Sequence, residues 1–103
     1  MIKVSVLYPN SESARFDIEY YRDTHMPLVR ERLGQACRRT SIEQGLAGAA
    51  PGEAPAYAAM GHLYFDSLSD FETAFPPHAE ELMGDIPNFT NIQPTVQISQ
   101  VVE

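Results

Sequence analysis

His25 is the side chain of this sequence best suited to move a proton, because imidazoles gain and lose protons near neutral pH. It lies in YYRDTHMPLV, residues 20–29, a stretch that otherwise reads as helix. Pro27 lacks an N–H and its ring clashes with the carbonyl of Asp23, so the helix should kink or break here and redirect the imidazole. The alternative is a structural histidine that hydrogen-bonds the freed backbone and stabilises the defect.

Two further aromatic residues are candidates to bind a substrate. Tyr21 precedes His25 by four residues and is therefore its neighbour on a helix. It is expected to orient the imidazole or to offer a phenol donor, or else to pack in the core. Phe89, in IPNFT, would place a ring at a loop tip, either as a pocket lid or as a plug at the edge of the core.

His62 is the second candidate for acid–base chemistry. It lies within YAAMGHLYF, residues 57–65, with Met60 and Tyr64 two positions away on either side. If this stretch is a strand, the three side chains share one face. His62 is then either an acid or base in a pocket that Met60 and Tyr64 help to form, or a polar group satisfied across a dimer.

No metal or cofactor is expected from these residues. His25, His62 and His78 show no HxH or HxxxH spacing, and no cysteine or carboxylate joins them in a ligand pattern. The glycine-rich signatures of dinucleotide and nucleoside triphosphate sites are missing, and no nucleophile elbow accompanies the serines.

The elements that must position these side chains follow the order βαββαβ, read from apolar periodicity, caps and turn residues. This order matches the split βαβ, ferredoxin-like unit, an α+β fold with a four-stranded antiparallel sheet, and residues 1–103 are expected to form one domain. The predicted elements are a strand at Ile2–Tyr8, a helix from the N-cap Asp17 to Gly34, a polar edge strand between Gln35 and Leu46, a central strand at Tyr57–Phe65, a helix from Ser67 to Gly84 interrupted by Pro76 and Pro77, and a last strand in TVQISQVV.

The ferredoxin-like arrangement places both helices on one face of the sheet. Val4, Val6, Leu63 and Phe65 are predicted to meet the helices, which leaves the opposite face with a mixture of apolar and polar residues. A second copy packed sheet against sheet would cover this face and enclose a space typical of small-molecule pockets. The alternative is a wet dimer interface that binds no ligand. The outward residues are Lys3, Ser5, Leu7, Met60, His62, Tyr64, Gln97 and Ser99.

Composition and charge exclude several classes of partner. The 103 residues carry 14 acidic and 7 basic side chains, a formal net charge of −7, so nucleic acid and anionic membrane surfaces are repelled on average. No apolar run approaches the length that crosses a bilayer, so no membrane association is expected. Cys37 is the lone cysteine and the chain opens without a leader pattern, which favours the cytoplasm.

Four segments together resemble the EthD family of the dimeric α/β-barrel superfamily: MIKVSVLYPN, ARFDIEYYRDTHMPLVRERLG, HLYFDSLSDFETAF and EELMGDIPNFTNIQPTVQIS. They cover nearly the whole chain, and only residues 35–56 lack a distinctive match. The tyrosine-to-proline segment and GDIPNFTNIQP are the most specific parts. The resemblance implies a homodimer whose two sheets close into a barrel, and it aligns His25 with the histidine of the family's H-x-P-L segment.

The resemblance implies less about chemistry. The family takes its name from ethyl tert-butyl ether degradation, where its member accompanies a monooxygenase system, and superfamily relatives include cofactor-independent monooxygenases, isomerases and cyclases. One hypothesis is a cofactor-independent enzyme, of oxidoreductase or isomerase type, acting on a hydrophobic oxygenated metabolite. The other is a non-catalytic dimeric binding or accessory protein for a partner oxygenase. The candidate residues are His25 and His62 for catalysis and Tyr21, Met60, Tyr64 and Phe89 for substrate binding.

Overall fold

Four antiparallel strands form the single sheet of the computed structural model, which describes residues 1–103. The strands are β1 (Ile2–Pro9), β2 (Cys37–Gln44), β3 (Tyr57–Phe65) and β4 (Thr95–Gln100), in the spatial order β2-β3-β1-β4. The central strands β1 and β3 pair along their whole length, from Ile2 opposite Phe65 to Pro9 opposite Tyr57. The predicted ferredoxin-like α+β fold is confirmed, with the polar strand β2 at one edge.

The first helix changes its winding ahead of the proline, as the proline predicted. It begins at the N-cap Asp17, whose carboxylate accepts a hydrogen bond from the Tyr20 backbone N–H at 3.1 Å. Gly34, with φ of 61°, terminates it because a left-handed residue ends the helical path without a Cβ clash. Its segments are α1 (Ile18–Tyr20), a π-helical turn (Tyr21–His25) and α2 (Met26–Leu33).

The π-helical turn has a physical cause in Pro27. A proline in the first turn of α2 cannot donate a backbone hydrogen bond to the preceding turn, and its ring crowds the carbonyl four residues earlier. A wider turn with a bond from the Met26 N–H to the Tyr21 carbonyl accommodates it. Such turns inside α-helices occur frequently at functional sites. Here the turn ends on His25.

The second helix is also interrupted at prolines, as predicted. It begins with the Ser67 hydroxyl accepting a hydrogen bond from the Asp70 backbone N–H at 3.1 Å. After α3 (Leu68–Ala74) a short 3-10 turn (Pro76–His78) leads into α4 (Ala79–Gly84). The loop that follows contains another 3-10 turn, Ile86–Asn88, and returns the chain to β4.

The two faces of the sheet have different neighbours. Val4, Leu63 and Phe65 project toward the helices and are almost completely buried in one hydrophobic cluster. The alternate residues of β1 and β3 project from the opposite face, which no helix covers; we call it the open face. No helix is long and apolar enough to span a bilayer.

Candidate functional site

A cavity of about 230 Å³ lies between the sheet and the two helices. Its floor includes Val4, Val6 and Leu63 from the central strands, and Val29 of α2 and Leu82 of α4 contribute to its walls. The lining is almost entirely hydrophobic, with the His25 imidazole and two tyrosines as its polar members. An apolar space with a few directional polar groups is the usual form of a small-molecule site.

The π-helical turn places His25 at this cavity with its ring 7% exposed. Nδ1 lies 2.9 Å from Oδ2 of Asp85, whose side chain is 14% exposed in the loop after α4. His25 therefore bonds a carboxylate rather than the backbone carbonyl freed by Pro27. The backbone partner expected of a structural histidine is thus not observed, and the bond to Asp85 both satisfies Nδ1 and orients the ring.

Asp85 is the centre of a hydrogen-bond network. Its Oδ1 accepts from the Tyr20 hydroxyl at 2.7 Å and from the Asn88 side-chain amide at 2.9 Å. Burial opposes ionisation of this carboxyl, but hydrogen bonds from Asn88, His25 and Tyr20 together outweigh it and hold the pKa of Asp85 below its ordinary value. The hydrogen bond between Tyr20 and Asp85, together with the negative charge of Asp85, raises the pKa of the Tyr20 hydroxyl. Asp85 is therefore an acceptor at neutral pH.

The ionised carboxylate determines which nitrogen of His25 carries the proton in the neutral ring. Nδ1 faces an acceptor and must donate, so Nε2 keeps its lone pair. Nε2 makes no hydrogen bond within the chain. Every side-chain nitrogen or oxygen that is sealed from solvent does have a hydrogen-bond partner, so Nε2 cannot be one of the sealed atoms. Nε2 is therefore accessible, and the cavity that His25 lines is the space it can reach.

Tyr21 lines the cavity beside His25. Their rings are nearly parallel, 14° apart with centroids separated by 5.5 Å, so Tyr21 supports the face of the imidazole. Burial raises the pKa of Tyr21 to about 12, although a hydrogen bond from Tyr8 acts in the opposite direction. Burial raises the pKa of Tyr8 by a larger amount. Both phenols are neutral at physiological pH. The Tyr21 hydroxyl packs directly over Gly61 of β3, in the space that a Cβ would occupy.

Phe89 is buried behind the imidazole and does not line the cavity. Its ring lies 4.7 Å from the His25 ring and 5.0 Å from the Tyr21 ring, centroid to centroid. It also packs against Phe16 and Tyr8. Phe89 is 3% exposed and belongs to the hydrophobic core cluster.

The remaining sequence candidates lie on the open face, on the other side of the sheet from the cavity. His62 stands opposite Ser5 of β1, whose hydroxyl is 2.9 Å from its Nδ1, and Nε2 is 3.4 Å from Oε1 of Glu43 on β2. Met60 and Tyr64 flank it, half-buried. The sequence candidates thus lie on two faces of the sheet, because strand alternation sends His62 away from the helices.

Asp85 was missed by the sequence analysis, although it lies in one of the most family-specific segments, GDIPNFTNIQP. Aspartates are common in the loops that follow helices. Sequence spacing does not reveal that this one has a hydrogen-bond partner 60 residues earlier in the chain. The π-helical turn and Asp85 together build the site. No group of three or more histidine, cysteine, aspartate or glutamate side chains is placed to hold a metal ion.

Comparison with known proteins decides the family. The sequence profile of the EthD domain matches residues 10–93, which include both His25 and Asp85. The chain belongs to the EthD family. The resemblance predicted from the sequence is thereby confirmed. Comparison with the curated proteins gives no match.

One solved structure supports this assignment through its sequence identity, and two others share the fold. An EthD-like protein of Ralstonia eutropha JMP134 is 51% identical over 99% of this chain and 92% of its own, with a TM-score of 0.95. An EthD family protein of Bacillus halodurans C-125 is 22% identical over 99% of each chain, with a TM-score of 0.75. A protein of Arabidopsis thaliana is 12% identical, with a TM-score of 0.67 over 100% of this chain and 97% of its own, and shares the fold alone.

Proposed function

We propose that this EthD-family chain forms a homodimer that binds a small apolar molecule in the cavity between sheet and helices, and that His25 removes a proton from that molecule. The observation that carries the proposal is the accessible Nε2 of His25, held by Asp85 at an otherwise apolar cavity. A base needs an unprotonated nitrogen, a fixed direction and access to the reacting group. The His25–Asp85 pair supplies the first two and the cavity supplies the third.

Proton removal next to an oxygenated group begins both cofactor-independent oxygenation and isomerisation, so the site suits either reaction type. A carboxylate behind an imidazole stabilises the imidazolium that forms when the base takes a proton. Exclusion of water strengthens this effect because the charges interact through a low dielectric. His62, with both ring nitrogens near partners on the open face, has no part in this proposed step.

A dimer through the open face is supported by the character of that face. Leu7, Met60 and Tyr64 form a half-buried apolar strip around the buried pair Ser5 and His62, and no helix covers them. A sheet face of this kind needs a partner surface to keep its apolar atoms from water. A second copy packed sheet against sheet is the proposed partner.

A non-catalytic binding protein, accessory to an oxygenase, is the second candidate. The observation that favours it is the scarcity of polar groups in the cavity, where one imidazole and two neutral phenols are the polar side chains present. Such a lining can hold an apolar ligand without converting it. Both candidates place the ligand in the same cavity and differ in whether His25 matters for turnover.

The location of the ligand can be tested with adjacent positions of β4. Val96 lines the cavity and is half-exposed, whereas the next residue, Gln97, is exposed on the opposite face. A thermal-shift screen of aromatic, lactone and quinone-like compounds should find ligands whose binding is weakened by Val96→Phe and unaffected by Gln97→Phe. The reverse pattern would place the ligand on the open face and refute the proposed site.

The role of His25 is then tested with a ligand found in that screen. If His25 is the base, His25→Gln should lower turnover about 100-fold or more while binding changes only a few fold. Equal turnover by the variant and the wild type would refute the catalytic role. Binding without turnover in the wild type would favour the accessory protein.

The dimer is tested by sedimentation at micromolar concentration. Wild type should sediment as a dimer, and Met60→Glu should shift it toward monomer by placing a charge in the covered face. Leu46→Glu is the matched control, because Leu46 is 91% exposed outside the sheet. A wild-type chain that is monomeric throughout would refute the dimer.

A further inference from the structure

We infer that the cavity selects a neutral, planar, single-ring compound with one acidic hydroxyl, that is, a phenol or a cyclic enol. The inference rests on the proposed function of the cavity and adds the chemical class of its ligand. It is carried by the juxtaposition of three features: the cavity volume, the absence of lysine, arginine, aspartate and glutamate from its lining, and the unprotonated Nε2 of His25.

The volume suits a ligand that buries one ring. An apolar cavity of about 150 Å³ in another protein is large enough for benzene. The cavity here measures about 230 Å³, which leaves room for a ring with one or two small substituents. Pockets for larger, drug-sized ligands begin at about 300 Å³.

The lining excludes charged ligands. No lysine, arginine, aspartate or glutamate lines the cavity, and the Tyr8 and Tyr21 phenols are neutral because burial raises the pKa of each. While His25 is neutral, a carboxylate, phosphate or ammonium would lose its hydration without gaining an opposite charge, which is strongly unfavourable. A neutral ligand avoids this penalty.

The ligand group that meets Nε2 of His25 must be a donor. Asp85 holds the proton of His25 on Nδ1, so Nε2 accepts a hydrogen bond and a ketone or ether oxygen would meet it lone pair to lone pair. A hydroxyl satisfies Nε2 directly. When its proton transfers, the O–H bond breaks, an Nε2–H bond forms, and the imidazolium lies between the ligand oxyanion and the Asp85 carboxylate.

Acidity and shape favour a phenol or enol over a saturated alcohol. A phenolic hydroxyl such as that of tyrosine ionises at a pKa of about 10, within reach of a histidine base, whereas a saturated alcohol is a far weaker acid. The rings of Tyr21, Phe71 and Phe75 line the cavity together with His25. Aromatic side chains pack well against the faces and edges of a planar ring.

Three probes of similar size test this inference by titration of the full chain: para-cresol, toluene and benzoate. Para-cresol should bind wild type about tenfold more tightly than toluene, and benzoate should not bind. In His25→Phe the difference between para-cresol and toluene should disappear. His62→Phe, on the open face, is the control in which the difference should persist.

A measurement without substitution keeps the test independent of whether the variants fold. In wild type, para-cresol should shift the ¹⁵N resonance of His25 Nε2, and toluene should leave it nearly unchanged. Equal affinities for toluene and para-cresol, or tighter binding of benzoate, would overturn the inference while leaving the cavity as a ligand site. Failure of all three probes, together with failure of the ligand screen, would overturn the proposed function as well.

Discussion

His25 and His62 are both buried histidines with a carboxylate neighbour, and they lie on opposite sides of the same sheet. Asp85 approaches His25 to 2.9 Å and is 14% exposed, whereas Glu43 is 3.4 Å from His62 and 60% exposed. Water screens the second pair much more than the first. Only the His25 pair is therefore expected to make a substantial electrostatic contribution within one chain.

The free nitrogen is the more instructive difference. His62 has Ser5 at one ring nitrogen and Glu43 near the other, so its ring completes a polar chain across three strands. His25 is bonded through Nδ1 alone and its Nε2 is left for whatever enters the cavity. A buried histidine with a carboxylate partner is thus not by itself a candidate base; the uncommitted atom beside an open space distinguishes His25.

The largest expected effect comes from Gly61→Ala on the helix side of β3. The new Cβ would overlap the Tyr21 hydroxyl, whose side chain is buried and cannot withdraw freely. We expect a loss of about 3 kcal/mol in the free energy of unfolding, measured by urea denaturation, because overpacking forces the core apart.

Gly84→Ala at the end of α4 is the matched control for Gly61→Ala. An added methyl group at Gly84 would meet no neighbouring atom within 4 Å, and the φ of this glycine is not positive. The change should therefore alter the free energy of unfolding by less than about 0.5 kcal/mol. Equal effects at the two glycines would show that Tyr21 does not depend on the space above Gly61.

Asp85→Asn is expected to have the next largest effect, a loss of about 2 kcal/mol at neutral pH, since three hydrogen bonds end on this carboxylate. The folded-state pKa of Asp85 is lowered, so its contribution is complete above its unfolded pKa of about 3.9 and is lost as pH falls through the lower folded value. The stability difference between wild type and variant should therefore shrink below about pH 4.

Asp66→Asn provides the control for Asp85→Asn. Asp66 is 61% exposed and 3.5 Å from Arg38, so the same substitution should cost less than about 0.5 kcal/mol. Urea denaturation of both variants at several pH values makes the comparison. A pH-independent loss in Asp85→Asn would show that the charge of Asp85 is not what stabilises the fold.

The sequence predicted the frame of this molecule better than its site. Apolar alternation placed Val4 and Leu63 toward the helices, the caps at Asp17 and Ser67 marked where both helices begin, and Pro27 marked the change of winding in the first helix. These are local signals, set by residues a few positions apart. The structure bears them out because tertiary contacts do not oppose them.

The site depends on contacts that no local signal reports. Asp85 meets His25 across 60 residues of sequence, and the Tyr21 hydroxyl fits over Gly61 only when the first helix crosses β3 at that point. His25 and His62, the two candidates for catalysis, lie on opposite sides of the sheet. Strand alternation determines which residues share a face with His62. Packing of the first helix determines which face of the sheet lies beside the π-helical turn.

Glu43→Gln is expected to have the smallest effect and tests the weaker member of the comparison. Within one chain the exposed side chain and the 3.4 Å separation predict a loss of less than about 0.5 kcal/mol in urea denaturation. If a second copy covers the open face, Glu43 is drier and the loss should grow with protein concentration. A loss as large as that of Asp85→Asn in dilute monomer would contradict the distinction drawn between the two histidines, because it would mean that solvent does not screen the His62 pair.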